Sequence, residues 1–446
     1  MKRFVFGSLA VLTAIALLGA GPRADVTRLA VPGASNEYVT LASAGDLVAA
    51  TWAATPKDGE TAIYAAVSND RGRTFGNPVR VTTHADVGGE QPPRVVIAPS
   101  VARTASEVVV VWTAKSPDGT RLFTARSRDA GRTFSAPVVL AGTTAAGNRG
   151  WESMTVDATG HPVVTWLDHR QAVASAETSH HHHDMSAAAS PPVGRALPGP
   201  PGEADKPRPT SDTAAAEQSV ARAATSRIYV GSTDGGVPVQ GLIHGVCYCC
   251  KTAIAAAPNG DLMLAWRHVY SGGYRDIAFS MSRDSGRTFS TPVRISSDGW
   301  QIAGCPEDGP ALAIDADRRA HVVWPTLVRE NGREVMALFH AVTTNGEVFS
   351  GRTRLPAGDS AFHPQAVVTG TGELVSAWDE GSAGTRRIRL AHGRIDGTGS
   401  VRFAAIDDLN ATGDHPALAI VPDGVVVAWA SRSGPASEIQ LIRRGF

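Results

Sequence analysis

The chain has 446 residues, and its 42 Lys plus Arg balance 42 Asp plus Glu, so the formal charge is zero. That balance offers no electrostatic handle for nucleic acid or an anionic membrane surface, and neither is expected as a partner. With 46 Gly, 28 Pro and only 19% charged residues, the composition suits many short strands and tight turns rather than long helices.

At the N-terminus Lys2 and Arg3 precede an apolar run over residues 4–18 and the small residues Gly19, Ala20 and Gly21. This reads as a signal peptide, residues 1–24, cleaved between Ala20 and Ala24. The run is shorter than the roughly 20 residues that cross a bilayer, so no membrane span is expected in the mature chain. A periplasmic or secreted protein follows, placed where its four cysteines meet an oxidising solvent.

From residue 25 onward one pattern recurs: an apolar strand, a turn, then a second strand ending in Trp. It ends at Trp52, Trp112, Trp166, Trp266, Trp324, Trp378 and Trp429, seven of the nine tryptophans. A further strand follows each, and three times the next turn reads Ser-x-Asp-x-Gly-Arg-Thr-Phe, at residues 68–75, 127–134 and 282–289. Repeated units of this length mean an array of supersecondary structures, not separate domains. In each octamer the Asp (Asp70, Asp129, Asp284) is placed to accept backbone N–H groups, and the Gly (Gly72, Gly131, Gly286) to take positive φ. Phe75, Phe134 and Phe289 are expected between neighbouring sheets.

The octamer resembles the Asp-box, or BNR repeat, of sialidase-like β-propellers. With seven tryptophans in register, the resemblance implies an all-β fold: a seven-bladed propeller of four-stranded antiparallel blades over residues 25–446. The last blade runs out of chain after its third strand, and residues 27–31 have no obvious partner. The N-terminal strand is therefore expected to close the ring and remove both open edges.

The interval between Trp166 and Trp266 holds one foreign segment, about residues 171–226, rich in Ala, Pro and Ser. It carries His180-His181-His182-His183-Asp184-Met185 and leaves blade three between its second and third strands. Its composition predicts a disordered excursion, with the His run able to collect copper.

In such blades the start of strand one and the end of strand two share a face, opposite the Asp-box turns. Glu90, Gln91, Trp151, Glu152, His244, Cys247, Tyr248, Cys249, Cys250, Lys251, Cys305, Glu307, Asp308, His363 and His415 all fall at strand-one starts. Asp168, His169, Arg170, Arg267, His268, Tyr270, Asp379 and Glu380 come from strand-two ends, and Tyr274, Arg275 and Asp276 from the loop of blade four. One mouth of the channel thus gathers the chemistry.

The cysteines allow three readings. An even count in an exported chain suits two disulfides, although adjacent Cys249 and Cys250 make that awkward. Cys247, Cys249, Cys250 and Cys305 joined by His363 and His415 would suit a thiophilic metal, copper first and zinc second, and a metal-dependent oxidoreductase could be built on it. Cys247 and Cys250 in a Cys-x-x-Cys frame would suit thiol–disulfide exchange, though no adjoining helix is predicted to lower a thiol pKa. Beside them, Arg267, His268, Tyr274 and Arg275, with Glu152, are the catalytic candidates: guanidinium groups for an anion, an imidazole oriented by Asp276, and a phenol.

The metal-binding propeller is the leading expectation. The resemblance also implies a glycoside hydrolase of sialidase-like type, acting on a small molecule or glycan. It would use arginines such as Arg170, Arg267 and Arg275 and divide acid and base roles within Glu307/Asp308 or Asp379/Glu380. The family's Arg-Ile-Pro segment is missing, and sialidases have six blades rather than seven. A non-catalytic binding or scaffold propeller with structural disulfides is the remaining alternative, and on every reading a monomer is expected.

Overall fold

The computed structural model describes residues 26–89, 91–99, 106–173, 210–302, 306, 308–381, 386–433 and 436–446. The signal-peptide residues and the His180–Met185 run lie outside them. So do Glu90, Cys305 and Glu307.

Seven four-stranded antiparallel sheets follow one another as expected. After β1 (Thr27–Leu29), blade one is β2 (Ala34–Ala44), β3 (Leu47–Pro56), β4 (Ala62–Ser68) and β5 (Val79–Thr82). Blade two is β6 (Arg94–Pro99), β7 (Ser106–Ser116), β8 (Gly119–Ser127) and β9 (Val138–Val139). Blade three is β10 (Arg149–Val156), β11 (Pro162–Asp168), β12 (Arg227–Ser232) and β13 (Gln240–His244). Blade four is β14 (Ala253–Ala256), β15 (Leu262–Val269), β16 (Arg275–Ser282) and β17 (Val293–Arg294). Blade five is β18 (Ala311–Ile314), β19 (Ala320–Glu330), β20 (Arg333–Thr343) and β21 (Thr353–Arg354). Blade six is β22 (Ala361–Val368), β23 (Glu373–Glu380), β24 (Arg387–Arg394) and β25 (Ala404–Thr412). Blade seven is β26 (Asp414–Val421), β27 (Gly424–Ser433) and β28 (Ala436–Arg444), completed by β1, which pairs Thr27–Leu29 with Leu441–Ile439. The ring closes through the N-terminal strand, leaving no blade incomplete.

The seven register tryptophans are all at most 1% exposed and fill the space between sheets. The Asp-box turns repeat one hydrogen-bond set. In blade one, Ser68 Oγ accepts from Gly72 N–H at 2.8 Å, and Asp70 accepts from Thr74 N–H at 2.8 Å and Thr74 Oγ1 at 2.6 Å. In blade two, Asp129 accepts from Thr133 N–H at 3.0 Å and Thr133 Oγ1 at 2.6 Å. Those Thr133 bonds, with Ser127, hold the Asp129 carboxyl down at about 2. Gly131 (φ 82°) is required twice over, because a Cβ there would lie 2.3 Å from Val67 Cγ2 of blade one. Phe75, Phe134 and Phe289 each pack against a core cluster shared by two blades.

Within the long segment of blade three, residues Thr210–Thr225 form a helix, α2, preceded by the short turn α1 (Arg170–Val173). No helix was expected here, yet the stretch Ala214-Ala215-Ala216 with Ala221, Ala223 and Ala224 is rich in the strongest helix former. Ala223 and Val220 pack on Cys247, Cys249 and Cys250, so α2 roofs the cysteines.

Candidate functional site at the channel mouth

Four of the seven innermost strands carry the same irregularity. Pairing slips between Glu37 and Thr40 in blade one, Gly150 and Ser153 in blade three, Phe362 and Gln365 in blade six, and Asp414 and Ala417 in blade seven. Inside each slip one residue sits at positive φ: Tyr38 at 59°, Trp151 at 54°, His363 at 54° and His415 at 50°. Such backbone costs on the order of 1–3 kcal/mol per non-glycine residue, and a bulge re-aims the side chain it carries. Because blades six, seven and one adjoin, three re-aimed rings meet. His363 and His415 stack 3.9 Å apart, and Tyr38 meets His415 edge-on at 5.8 Å.

Carboxylates stand behind both imidazoles. Asp379, fully buried at the end of β23, accepts from His363 Nδ1 at 2.7 Å and from the His415 backbone N–H at 2.8 Å, and it pairs with Arg386. Burial alone would raise its carboxyl. The charges of His363, Arg386 and His415 overcome that and hold it well below the usual carboxylate range. Asp414 accepts from His415 Nδ1 at 3.0 Å. Asp308 accepts from the His363 backbone N–H at 2.8 Å, with Lys251 Nζ 3.6 Å away. Since a carboxylate only accepts, both Nδ1 atoms carry the proton. A Cβ at Gly89 would lie 2.1 Å from His415 Nε2, so that position admits only glycine beside the ring.

Glu152 is set the other way. It is fully buried, Thr113 Oγ1 donates to its Oε2 at 3.1 Å, and its Oε1 has no hydrogen-bond partner among the described residues. Burial pushes its carboxyl up to about 7. Among the described residues it is the one carboxyl so raised. Tyr38 is pushed up to about 12, chiefly by burial and then by Glu37, so its phenol keeps its proton.

The thiols form a second, separate group. Cys247 and Cys250 carry buried thiols outside any disulfide, 2.8 Å apart at Sγ, whereas Cys249 is not a thiol. The two disulfides allowed by the even cysteine count are therefore not formed. Arg275 Nη1 lies 2.9 Å from Cys247 Sγ. Burial opposes ionisation of Cys247, but Cys250 and the charges of Arg275 and Arg267 bring its thiol down to about 6.

The remaining candidates scatter. Arg267 spends its guanidinium on the carbonyls of Asp308, Arg275 and Pro325 at 2.7–3.2 Å and stacks on Trp300. Arg275 serves Cys247 and Ser219, and Arg170 pairs with Asp168 over the ring of Tyr229. These arginines do not form an open anion clamp. His268 is held down at about 4 by burial and accepts from Trp266 Nε1 at 3.4 Å, while the expected orienting group, Asp276, is taken by Arg294. Tyr274 lies exposed on the surface. Asp379 and Glu380 are both held low despite burial, Asp379 by His363 and Glu380 by Trp378, so they do not divide acid and base roles.

The single thiol–imidazole metal centre is not formed either. Among the described residues the ligand-type atoms fall into two clusters, Cys247/Cys249/Cys250 and His363/Asp379/His415, each within 4.8 Å internally and neither mixing sulfur with imidazole. The cause is circumference. The cysteines belong to blade four and the histidines to blades six and seven, with blade five between them. Asp379, saturated by three donors, orients His363 rather than offering itself as a ligand. Tyr38 and Asp414 went unremarked in the sequence, although the twin His-Pro pairs at residues 363–364 and 415–416 mark equivalent positions.

No family model matches the chain, and no curated protein matches it. Solved structures resemble it remotely. An α-L-arabinofuranosidase from Fusarium graminearum is 11% identical, with 93% of this chain and 97% of that one covered and a TM-score of 0.48. The intramolecular trans-sialidase of Ruminococcus gnavus is 12% identical over 94% and 97%, with a TM-score of 0.44, and the endosialidase of phage phi92 is 8% identical over 95% and 69%, at 0.47. These names are of glycan-cleaving proteins. The separated clusters leave the copper-oxidoreductase expectation without support, and it is withdrawn.

Proposed function

We propose that the channel mouth is the active site of a hydrolase acting on a glycosidic, polyhydroxylated small molecule. One observation carries the reading: Glu152, buried at a strand-one start with Oε1 unpartnered among the described residues, is pushed up to about 7 and so keeps its proton near neutrality. Cleaving a glycosidic bond needs such an acid. Glu152 supplies the proton to the leaving oxygen through Oε1. Asp379 fixes the His363 ring through Nδ1, and Tyr38 remains a hydrogen-bond donor. The leader-like residues 1–24 support a periplasmic or secreted site of action.

A panel of fluorogenic glycosides, arabinofuranosides and sialosides included, tests the proposal. One class should be turned over, and Glu152→Gln should lower its kcat about a hundredfold or more with a smaller change in KM. The rate should fall as pH rises through about 7, where Glu152 loses its proton. No turnover across the panel, or a Glu152→Gln variant at full rate, would overturn it.

A further inference from the structure

The hydrolytic reading leaves the thiols beneath α2 unused, and their surroundings are built for another chemistry. Cys247 and Cys250 stand in a Cys-x-x-Cys frame with their Sγ atoms 2.8 Å apart. Among the described residues no helix N-terminus serves them. Instead a buried guanidinium is delivered to Cys247: Arg275, at the start of β16, places Nη1 2.9 Å from Cys247 Sγ. Its Nη2 donates to Ser219 Oγ of α2 at 2.6 Å and the Tyr248 ring lies 5.4 Å from it, while Arg267 fixes the backbone by bonding the Arg275 carbonyl at 2.8 Å. A fixed cation hydrogen-bonded to Cys247 favours its thiolate, the form that attacks a disulfide.

We propose that Cys247 and Cys250 are a redox-active pair that exchanges with small disulfides. The Cys247 thiolate attacks one sulfur of the incoming disulfide, forming a mixed disulfide and expelling the first thiolate, which takes up a proton. Cys250 then gives up its proton and attacks the Cys247 sulfur, expelling the second thiolate. The pair is oxidised by two electrons to a Cys247–Cys250 disulfide, and the substrate disulfide is reduced to two thiols. The roof formed by Val220 and Ala223 over the pair selects small disulfides, because α2 must yield to admit anything larger.

The full chain, with Cys249 left bonded and Cys247 and Cys250 reduced, is treated with cystamine and its mass followed after acid quench. The expected result is a loss of two hydrogen atoms per chain with release of two cysteamines. Cys250→Ala should instead trap one cysteamine on Cys247, and Cys247→Ala should abolish both outcomes. Arg275→Gln should slow iodoacetamide alkylation of Cys247 at neutral pH roughly tenfold or more. Where that variant fails to fold, the pH profile of wild-type alkylation serves, and it should rise through about 6. Failure of cystamine to oxidise the pair would overturn the proposal. So would equal trapping by either single variant, an alkylation profile rising only near 8.5, the ordinary thiol value, or a stoichiometric metal held by both sulfurs.

Discussion

The two faces of this propeller satisfy their acids in opposite ways. On the Asp-box face Asp70, Asp129 and Asp284 each bond to residues no more than four positions away, and the same geometry appears three times. At the mouth Asp379 bonds to Arg386 and His363 of its own blade and to the backbone of His415 in the next, and Asp308 reaches His363 from the blade before. A local turn can be copied from blade to blade because it depends on nothing beyond itself. A cross-blade network depends on which blades adjoin, and no two places around the mouth are alike. Both faces hold non-glycine residues at positive φ, but in different settings: Arg71, Ala130 and Ser285 adopt it inside the repeated turns, whereas Tyr38, Trp151, His363 and His415 adopt it in bulges of innermost strands.

The comparison is broken most directly at Asp379. Asp379→Asn leaves Arg386 facing a neutral amide in a buried site and should cost about 3–5 kcal/mol in urea unfolding. Asp129→Asn, at an exposed turn, should cost far less. Equal losses would mean that the cross-blade network is no more demanding than the turn.

Titration sharpens the contrast next. Glu152 has a folded value of about 7 against an ordinary 4.5, so the folded state binds the extra proton between those two values. Its contribution is present below 4.5 and lost as pH rises through 7, a span on the order of 3 kcal/mol. Wild-type stability relative to Glu152→Gln should therefore decline over that window and then level. The Asp-box acids run the other way. Asp129 lies at about 2 against an ordinary 3.8, so its contribution is present above 3.8 and lost as pH falls toward 2. Parallel stability curves for wild type and Glu152→Gln across pH 4–8 would show that Glu152 is not held protonated.

The smallest effect is expected on the repeated face. Gly131→Ala meets both positive φ and Val67, and should cost about 1–3 kcal/mol in thermal or urea unfolding. Pairing it with Val67→Ala should return part of that loss, because only the steric share is relieved. An unchanged melting temperature for Gly131→Ala would mean that the turn relaxes freely.

Legibility followed the range of each interaction. The Asp-box turns could be read residue by residue because their partners are four positions away or fewer. The blades could be counted because each buries its tryptophan at one fixed point of its second strand. That phase also assigned Glu152, Asp379, His363, His415 and the cysteines to one mouth. It did not show that the histidines meet each other and not the cysteines, because position along a strand fixes height on the channel but not the angle around it. Arginines that looked free in the sequence, Arg267 and Arg275, proved to be spent on backbone carbonyls and a thiol.

The amino-acid order by itself thus determined the seven-bladed ring and its closure by β1, since each rests on repeated short-range patterns. Only the tertiary structure decided which imidazole lies on which, that Glu152 holds a proton while Asp379 does not, and that α2 roofs Cys247 and Cys250. Those outcomes depend on burial and on charges brought from other blades, and neither quantity exists until the ring has closed.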